Sequence, residues 1–203
     1  MPLDDATLPN VIADVQATLR QALRDEVPEL NPEGRVSFSS PADLDVTADP
    51  LIGLFLYQMM EIPQMRNQPP EPDGTSGDRR CQTLELYYLV TSYARQIEDG
   101  HRLLGKVMRT FFENAILRGP VLQGSLADME QELRVLLQPL SLEDVNRLWS
   151  VFPGKAYRLS IAYQVTPVKI FSRSAVPPGR VITRDLGYAK IFDRGEKRHG
   201  RHP

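Results

Sequence analysis

The residue pattern predicts an α+β (mixed α/β) fold: a two-layer domain with about three helices on a mixed, largely antiparallel sheet, followed by an extended C-terminal arm. Three observations carry this reading. Apolar spacing switches between a period near 3.6 and a period of two, in the order helix, strand, strand, helix, strand, helix, strand. No internal repeat interrupts that order. After Ile170 the chain turns into Arg173-Ser174-Ala175-Val176-Pro177-Pro178-Gly179, which divides a body, residues 1–170, from an arm, residues 171–203.

Asn10 is placed to cap a first helix in which Ile12, Val15, Leu19 and Leu23 recur at three- and four-residue steps, with Asp14 near the positive end of the helix dipole. Pro28 and Pro32 end it. Val36 to Ser39 reads as a short strand, and Ile52 to Tyr57, apolar at nearly every position, as a strand buried on both faces. The stretch from Pro63 to Asp78, rich in proline and glycine, is expected to be a mobile loop. Leu84, Leu86, Tyr88 and Val90 then alternate with Glu85, Tyr87 and Leu89 in a second long strand.

Between Glu98 and Leu117 the set Leu104, Val107, Met108, Phe111 and Ala115 returns to the helical period, with Gly119 and Pro120 expected to stop the helix. Leu133, Val135 and Leu137 suggest a third strand. Ser141-Leu142-Glu143-Asp144 resembles a capping box, and Val145, Leu148, Trp149 and Phe152 make one apolar face behind it. In the last strand Tyr157, Leu159, Ile161, Tyr163 and Val165 face the core, and Arg158, Ser160, Ala162, Gln164 and Thr166 face water.

The 203 residues suffice for a sizeable core. At 41% hydrophobic and 25% charged, the composition rules out a chain disordered throughout, a collagen or a disulfide-stapled miniprotein. Proline, 17 of 203 residues, is above the usual ~5% and predicts stiffened loops. Cys81 stands alone, which excludes an intrachain disulfide and a cysteine-based zinc site and makes a reducing compartment the expectation. The opening Met1-Pro2-Leu3-Asp4-Asp5, with neither a basic nor an apolar run, is not expected to act as a Sec-type signal. Leu51 to Met60, the longest apolar stretch, is about half of the ~20 residues a bilayer span needs.

Catalytic signatures are missing as a set. No P-loop, dinucleotide-binding glycine motif, His-Glu-x-x-His, nucleophile elbow or EF-hand spacing occurs. His101 sits on the second helix, and His199 and His202 lie in a basic tail without a third ligand. Glu143 and Asp144 have capping as their expected role, and Tyr87, Tyr88 and Tyr93 are expected to pack in or beside the sheet. We therefore expect no catalytic, cofactor or metal site.

Charge is segregated although the net value is only −2. Met1 to Glu33 holds seven carboxylates against two arginines, and Arg173 to Pro203 holds eight basic residues against three acidic ones. Such polarity can steer one subunit onto another, or it can simply be that of a solvated acidic helix and a disordered basic tail. In the arm, Val181 to Thr183 and Tyr188 to Phe192 are β-prone patches that cannot bury themselves alone. Arg180, Val181, Ile182, Arg184, Tyr188, Lys190, Ile191 and Phe192 are the candidate interface residues. The alternative is a tail that folds back on its own sheet.

Six phrases in order also resemble one family. They are Val11-Ile12-Ala13-Asp14-Val15-Gln16-Ala17-Thr18-Leu19-Arg20; Leu54-Phe55-Leu56-Tyr57 followed by Arg66-Asn67; Leu86-Tyr87-Tyr88-Leu89-Val90-Thr91-Ser92-Tyr93; His101-Arg102-Leu103-Leu104-Gly105; Pro139-Leu140-Ser141 with Arg147-Leu148-Trp149; and Tyr157-Arg158-Leu159-Ser160 with Tyr163. From about Val11 to Val168 the chain is similar to the cap, or tail-terminator, proteins of extracellular contractile injection systems, such as the antifeeding prophage and the Photorhabdus virulence cassettes. The resemblance implies a phage-tail-like particle whose inner tube and contractile sheath are closed, away from the baseplate, by a homohexameric ring. On that reading the partners are further copies of the chain and the sheath and inner tube proteins, with no nucleic acid, membrane or cofactor. The protein would be structural rather than an enzyme, assembled in the cytoplasm and then part of the particle, inside the cell or released on lysis. A neck or adaptor subunit of a related particle stays open at this point, as does a small-ligand-binding domain or enzyme lacking recognised motifs.

Overall fold

The computed structural model describes residues 10–46, 48–65, 71–72, 78–128 and 131–176. Helix α1 spans Val11–Glu26 and buries Val11, Val15, Thr18, Leu19, Ala22 and Leu23, one stripe at helical spacing. Asn10 precedes it without a side-chain capping bond. Its end is as expected: the Val27 N–H closes onto the Leu23 carbonyl, and Pro28 opens a separate 3-10 turn.

Helix α2, Ile97–Glu113, buries Leu103, Leu104, Val107, Thr110 and Phe111. It stops before the expected Gly119-Pro120. Asn114 leaves helical geometry at φ −112° and ψ 48°, and Ile116–Leu117 becomes strand β5, paired with Leu133 and Arg134. Long-range pairing that buries Leu117 thus overrides a pattern that reads as helix to that residue. Met108, expected in the core, points outward at 39% exposure.

The sheet has seven strands among the described residues, in the order β1-β2-β4-β7-β6-β5, with β3 beside β4. Their ranges are β1 Val36–Ser37, β2 Leu51–Glu61, β3 Glu71–Pro72, β4 Asp78–Tyr93, β6 Leu133–Gln138 and β7 Ser160–Val176. Only β1 and β2 are parallel; every other pairing is antiparallel. Of the Pro63–Asp78 stretch, Pro63–Met65 forms a 3-10 turn, Glu71–Pro72 is β3 and Asp78 already belongs to β4. Residues 66–70 and 73–77, on which the expectation of a mobile loop mostly falls, lie outside the described residues.

Helices α1 and α2 cover one face of the sheet. Ile52, Leu54, Leu86, Tyr88, Val90, Leu133, Val135, Tyr163, Val165 and Val168 form the main core with them. A second, smaller cluster sits on the other face. There helix α4, Leu142–Trp149, and the turn after it bring Val145, Trp149 and Phe152 against Phe55, whose ring meets Phe152 edge-on at 5.6 Å. Phe55 neighbours Leu54 along β2 and so points to the opposite face, which sets the side α4 occupies.

The capping box at Ser141 forms as expected: Ser141 Oγ accepts from the Asp144 N–H at 3.1 Å, and the Asp144 carboxylate accepts from the Ser141 N–H. Burial on both faces holds for Leu51 to Leu54 only, because farther along β2 nothing among the described residues covers Gln58, Met59 and Met60. Tyr157 and Leu159, expected in the core, precede β7 and are 54% and 52% exposed. Ala162, expected to face water, is buried beside Leu89 under the α4 cluster.

A polar clasp joins α1 to the short helix α3, Ser125–Asp128. Asp14 Oδ2 accepts from the Ser125 N–H at 3.0 Å and from its hydroxyl. The Thr18 hydroxyl donates to the Asp14 carbonyl at 2.8 Å and accepts from the Gln123 N–H at 2.9 Å. Gly124 between them has φ +58°, and a Cβ there would lie 2.2 Å from Asp14 Oδ1. Only glycine fits so close an approach.

Candidate interaction surfaces

Strands β4 and β7 are long for a domain of this size. Their 16 and 17 residues span roughly 50–55 Å at ~3.3 Å per residue. Helix-backed burial on β7 reaches Val168, while pairing with β4 continues to Asp78↔Val176. β3 adds a rung at the same end, Glu71↔Arg79 and Pro72↔Asp78. The result is a β-ribbon that carries the chain to Val176, beyond the Ile170 boundary read from composition. The predicted interface residues Arg180, Val181, Ile182, Arg184, Tyr188, Lys190, Ile191 and Phe192 lie outside the described residues.

A cleft of about 350 Å³ opens where the end of β4, the start of α2 and the segment before β7 meet. Arg95, Ile97, His101, Tyr157, Arg158 and Leu159 line it, and Ile97 is 71% exposed. Arg158 lies over the ring of Tyr93, 5.4 Å from its centroid. Burial pushes the Tyr93 hydroxyl up to about 12, with the Arg158 charge opposing. His101 stands exposed on the wall of this cleft.

On the opposite sheet face a groove of about 480 Å³ runs beside α4. Its floor holds Tyr57 and Tyr87, whose rings lie 6.2 Å apart. The Tyr87 hydroxyl donates to Glu85 Oε2 at 2.7 Å; desolvation and then that bond raise its pKa to about 12. Asp144 and Arg147 form part of the rim, and the bonds from Ser141 hold the Asp144 carboxyl below the ordinary aspartate range. Tyr88 and Tyr93 are buried in the sheet as expected, at 1% and 2% exposure.

Among the described residues no three His, Cys, Asp or Glu side chains gather to hold a metal ion, and no helix is long and apolar enough to cross a membrane. The exposed Met59, Met60, Ile97, Leu136 and Leu137 were not singled out by the sequence, which gives the same apolar signal for a buried residue and an uncovered one.

The fold has solved counterparts. It is similar to the sheath/tube terminator of an extracellular contractile injection system, PVC, in its extended state, with a TM-score of 0.59 and 18% identity over 90% of this chain. It is also similar to the tube-terminating cap of the anti-feeding prophage, with a TM-score of 0.54 and 18% identity over 86% of the chain. The chain spans 65% and 61% of the lengths of those two proteins. No curated protein matches it by sequence. Residues 14–184 match the family model of the Pvc16 N-terminal domain, from the clasp residue Asp14 to beyond the end of β7, and the chain therefore belongs to the Pvc16 N-terminal domain family.

Proposed function

We propose that this protein is a structural cap: a ring, built of six copies, that ends the inner tube and sheath of a contractile injection particle on the side away from the baseplate. The observation that carries the reading is the shared fold, since both solved counterparts are terminators of such a tube and match 90% and 86% of this chain. The surfaces support it. A cap needs shape and contact area rather than a catalytic constellation, and this domain offers a long ribbon, open sheet edges and two apolar-walled grooves. Assembly would take place in the cytoplasm, with the protein then carried as part of the particle.

The division into a body, residues 1–170, and an arm, residues 171–203, belongs to the same proposal. Residues 177–203 follow the ribbon directly, and we assign them, through Arg180, Val181, Ile182, Arg184, Tyr188, Lys190, Ile191 and Phe192, to strand addition on a neighbouring subunit or the sheath. Deletion of the gene in a particle-producing strain, followed by electron microscopy, tests the cap. Tubes and sheaths of uncontrolled length, or unstable particles, are expected; particles of normal length and yield would overturn the reading. Truncation after Val176 tests the arm: the body should melt as before but fail to attach to particles, and a truncated body that unfolds would place those residues on their own domain.

A further inference from the structure

Among the described residues the sheet ends in two open edges, level with each other and on opposite sides. On one side β1 pairs with Ile52 and Gly53 only, so among the described residues no strand flanks β2 from Leu54 to Glu61 on its outer side. On the other side β5 pairs with Leu133 and Arg134 only, which leaves Leu136 to Gln138 of β6 without an outer neighbour among the described residues. The registers align the two stretches. Met59 lies across Leu86 and Val165 from Val135, and Leu56 lies across Tyr88 and Tyr163 from Leu137.

An unpaired edge presents backbone N–H and C=O groups that another strand can take up. Both edges also carry exposed apolar side chains: Met59 at 53% and Met60 at 47% on β2, Leu137 at 54% and Leu136 at 43% on β6. Because side chains alternate along a strand, Met59 and Leu137 stand on the α1–α2 face while Met60 and Leu136 stand on the α4 face. Direction fits too. β2, β4, β7 and β6 alternate antiparallel, so β6 of one copy set beside β2 of the next continues the alternation.

Resting on the ring reading above, we infer that β2 of one copy pairs antiparallel with β6 of the next, so that one sheet runs from subunit to subunit. Met59 then packs beside Leu137, and Met60 beside Leu136. The contact is heterologous, joining two different surfaces of the same chain, and it closes where the rotation between copies allows a ring. Pro63 and Pro139 follow the two edges and keep the pairing short.

Oxidative crosslinking of the purified full-length chain in a Cys81→Ser background tests this pairing. The Met59→Cys/Leu137→Cys double variant should give a ladder of dimers, trimers and larger species up to a closed ring, and Met60→Cys/Leu136→Cys should do the same from the other face. Each single-cysteine variant should remain uncrosslinked. An equal mixture of Met59→Cys and Leu137→Cys chains should stop at the dimer, because each copy then carries one reactive edge. Thermal melts of the reduced variants confirm that the fold is kept.

Double variants that give no ladder would overturn the inference, as would dimers from a single-cysteine variant, which mark a two-fold contact instead. A ladder that appears only after truncation at Val176 would assign the edge to the chain's own residues 177–203 and would also overturn it. Normal particle length in a deletion strain sinks the cap reading without affecting the crosslinks. Missing crosslinks sink the edge pairing and leave the cap untouched.

Discussion

Gly124→Ala concentrates several effects at one point of the clasp between α1 and α3. The backbone there has φ +58°, a left-handed conformation that costs an L-residue roughly 1–2 kcal/mol. The added methyl would sit 2.2 Å from Asp14 Oδ1 and 2.8 Å from Oδ2, so the carboxylate must move. Moving it loosens the bonds from the Ser125 N–H and hydroxyl, each worth about 1.5–3 kcal/mol to a charged acceptor. Loss of one bond together with the backbone strain gives about 3–5 kcal/mol, a large part of the ~5–15 kcal/mol by which domains are stable. At about 2–4 °C per kcal/mol for a chain of this length, the melting temperature should fall by roughly 6–20 °C.

Urea denaturation followed by circular dichroism measures the change, with an unchanged m-value showing that the native fold is retained. Asp14→Ala supplies the second arm of a double-mutant cycle. With no carboxylate to displace, the added effect of Gly124→Ala should shrink to the strain of about 1–2 kcal/mol. A Gly124→Ala chain that melts within about 2 °C of the parent, or a penalty of the same size in the Asp14→Ala background, would refute the close approach at this turn.

Trp149→Ala should destabilise by about 3–5 kcal/mol because it empties the centre of the α4 cluster, whereas Leu159→Ala, at a half-exposed site, should stay within about 1 kcal/mol; equal effects in thermal melts would contradict the placement of these two side chains. Ser141→Ala removes the cap of α4 and should lower stability by about 1 kcal/mol at neutral pH. The Asp144 carboxyl that shares this cap titrates lower in the folded chain than in the unfolded one. Its contribution is complete above the ordinary aspartate value of about 3.9 and fades as pH falls through the lower folded value, so the gap between parent and Ser141→Ala should narrow in acid. A gap that widens there would reverse the assignment. At the alkaline end Tyr87 and Tyr93 are raised to about 12 and Tyr88 is raised by burial. Stability held below the unfolded tyrosine value of about 10 should therefore be lost as pH climbs toward 12, with tyrosinate absorbance appearing together with unfolding. Ionisation of all seven tyrosines near pH 10 in a still-folded chain would count against their burial.

Local elements were legible from residue order because their causes are local. The Val15, Leu19, Leu23 stripe and the Pro28 stop define α1, and Ser141 to Asp144 start α4, through contacts within a few residues of each other. The family resemblance was legible in the same way: its phrases, from about Val11 to Val168, fall mostly within the 14–184 match.

Outcomes that depend on what lies across the fold were not legible. Met59, Met60, Leu136, Leu137 and Leu159 look like core residues in any periodicity, and only the placement of neighbouring elements leaves them uncovered. Ile116 and Leu117 continue a helical pattern, yet β6 recruits them. Phe55 is simply the next residue after Leu54, and the position of α4 makes the far side of the sheet a second core. By itself the sequence determined the type of the longer elements, the capping box of α4 and the stop of α1, and the family. The tertiary structure alone decided which apolar residues are covered, how far β7 runs and which sheet edges stay open among the described residues. Backbone pairing and burial join residues far apart in the chain, and periodicity carries no record of those partners.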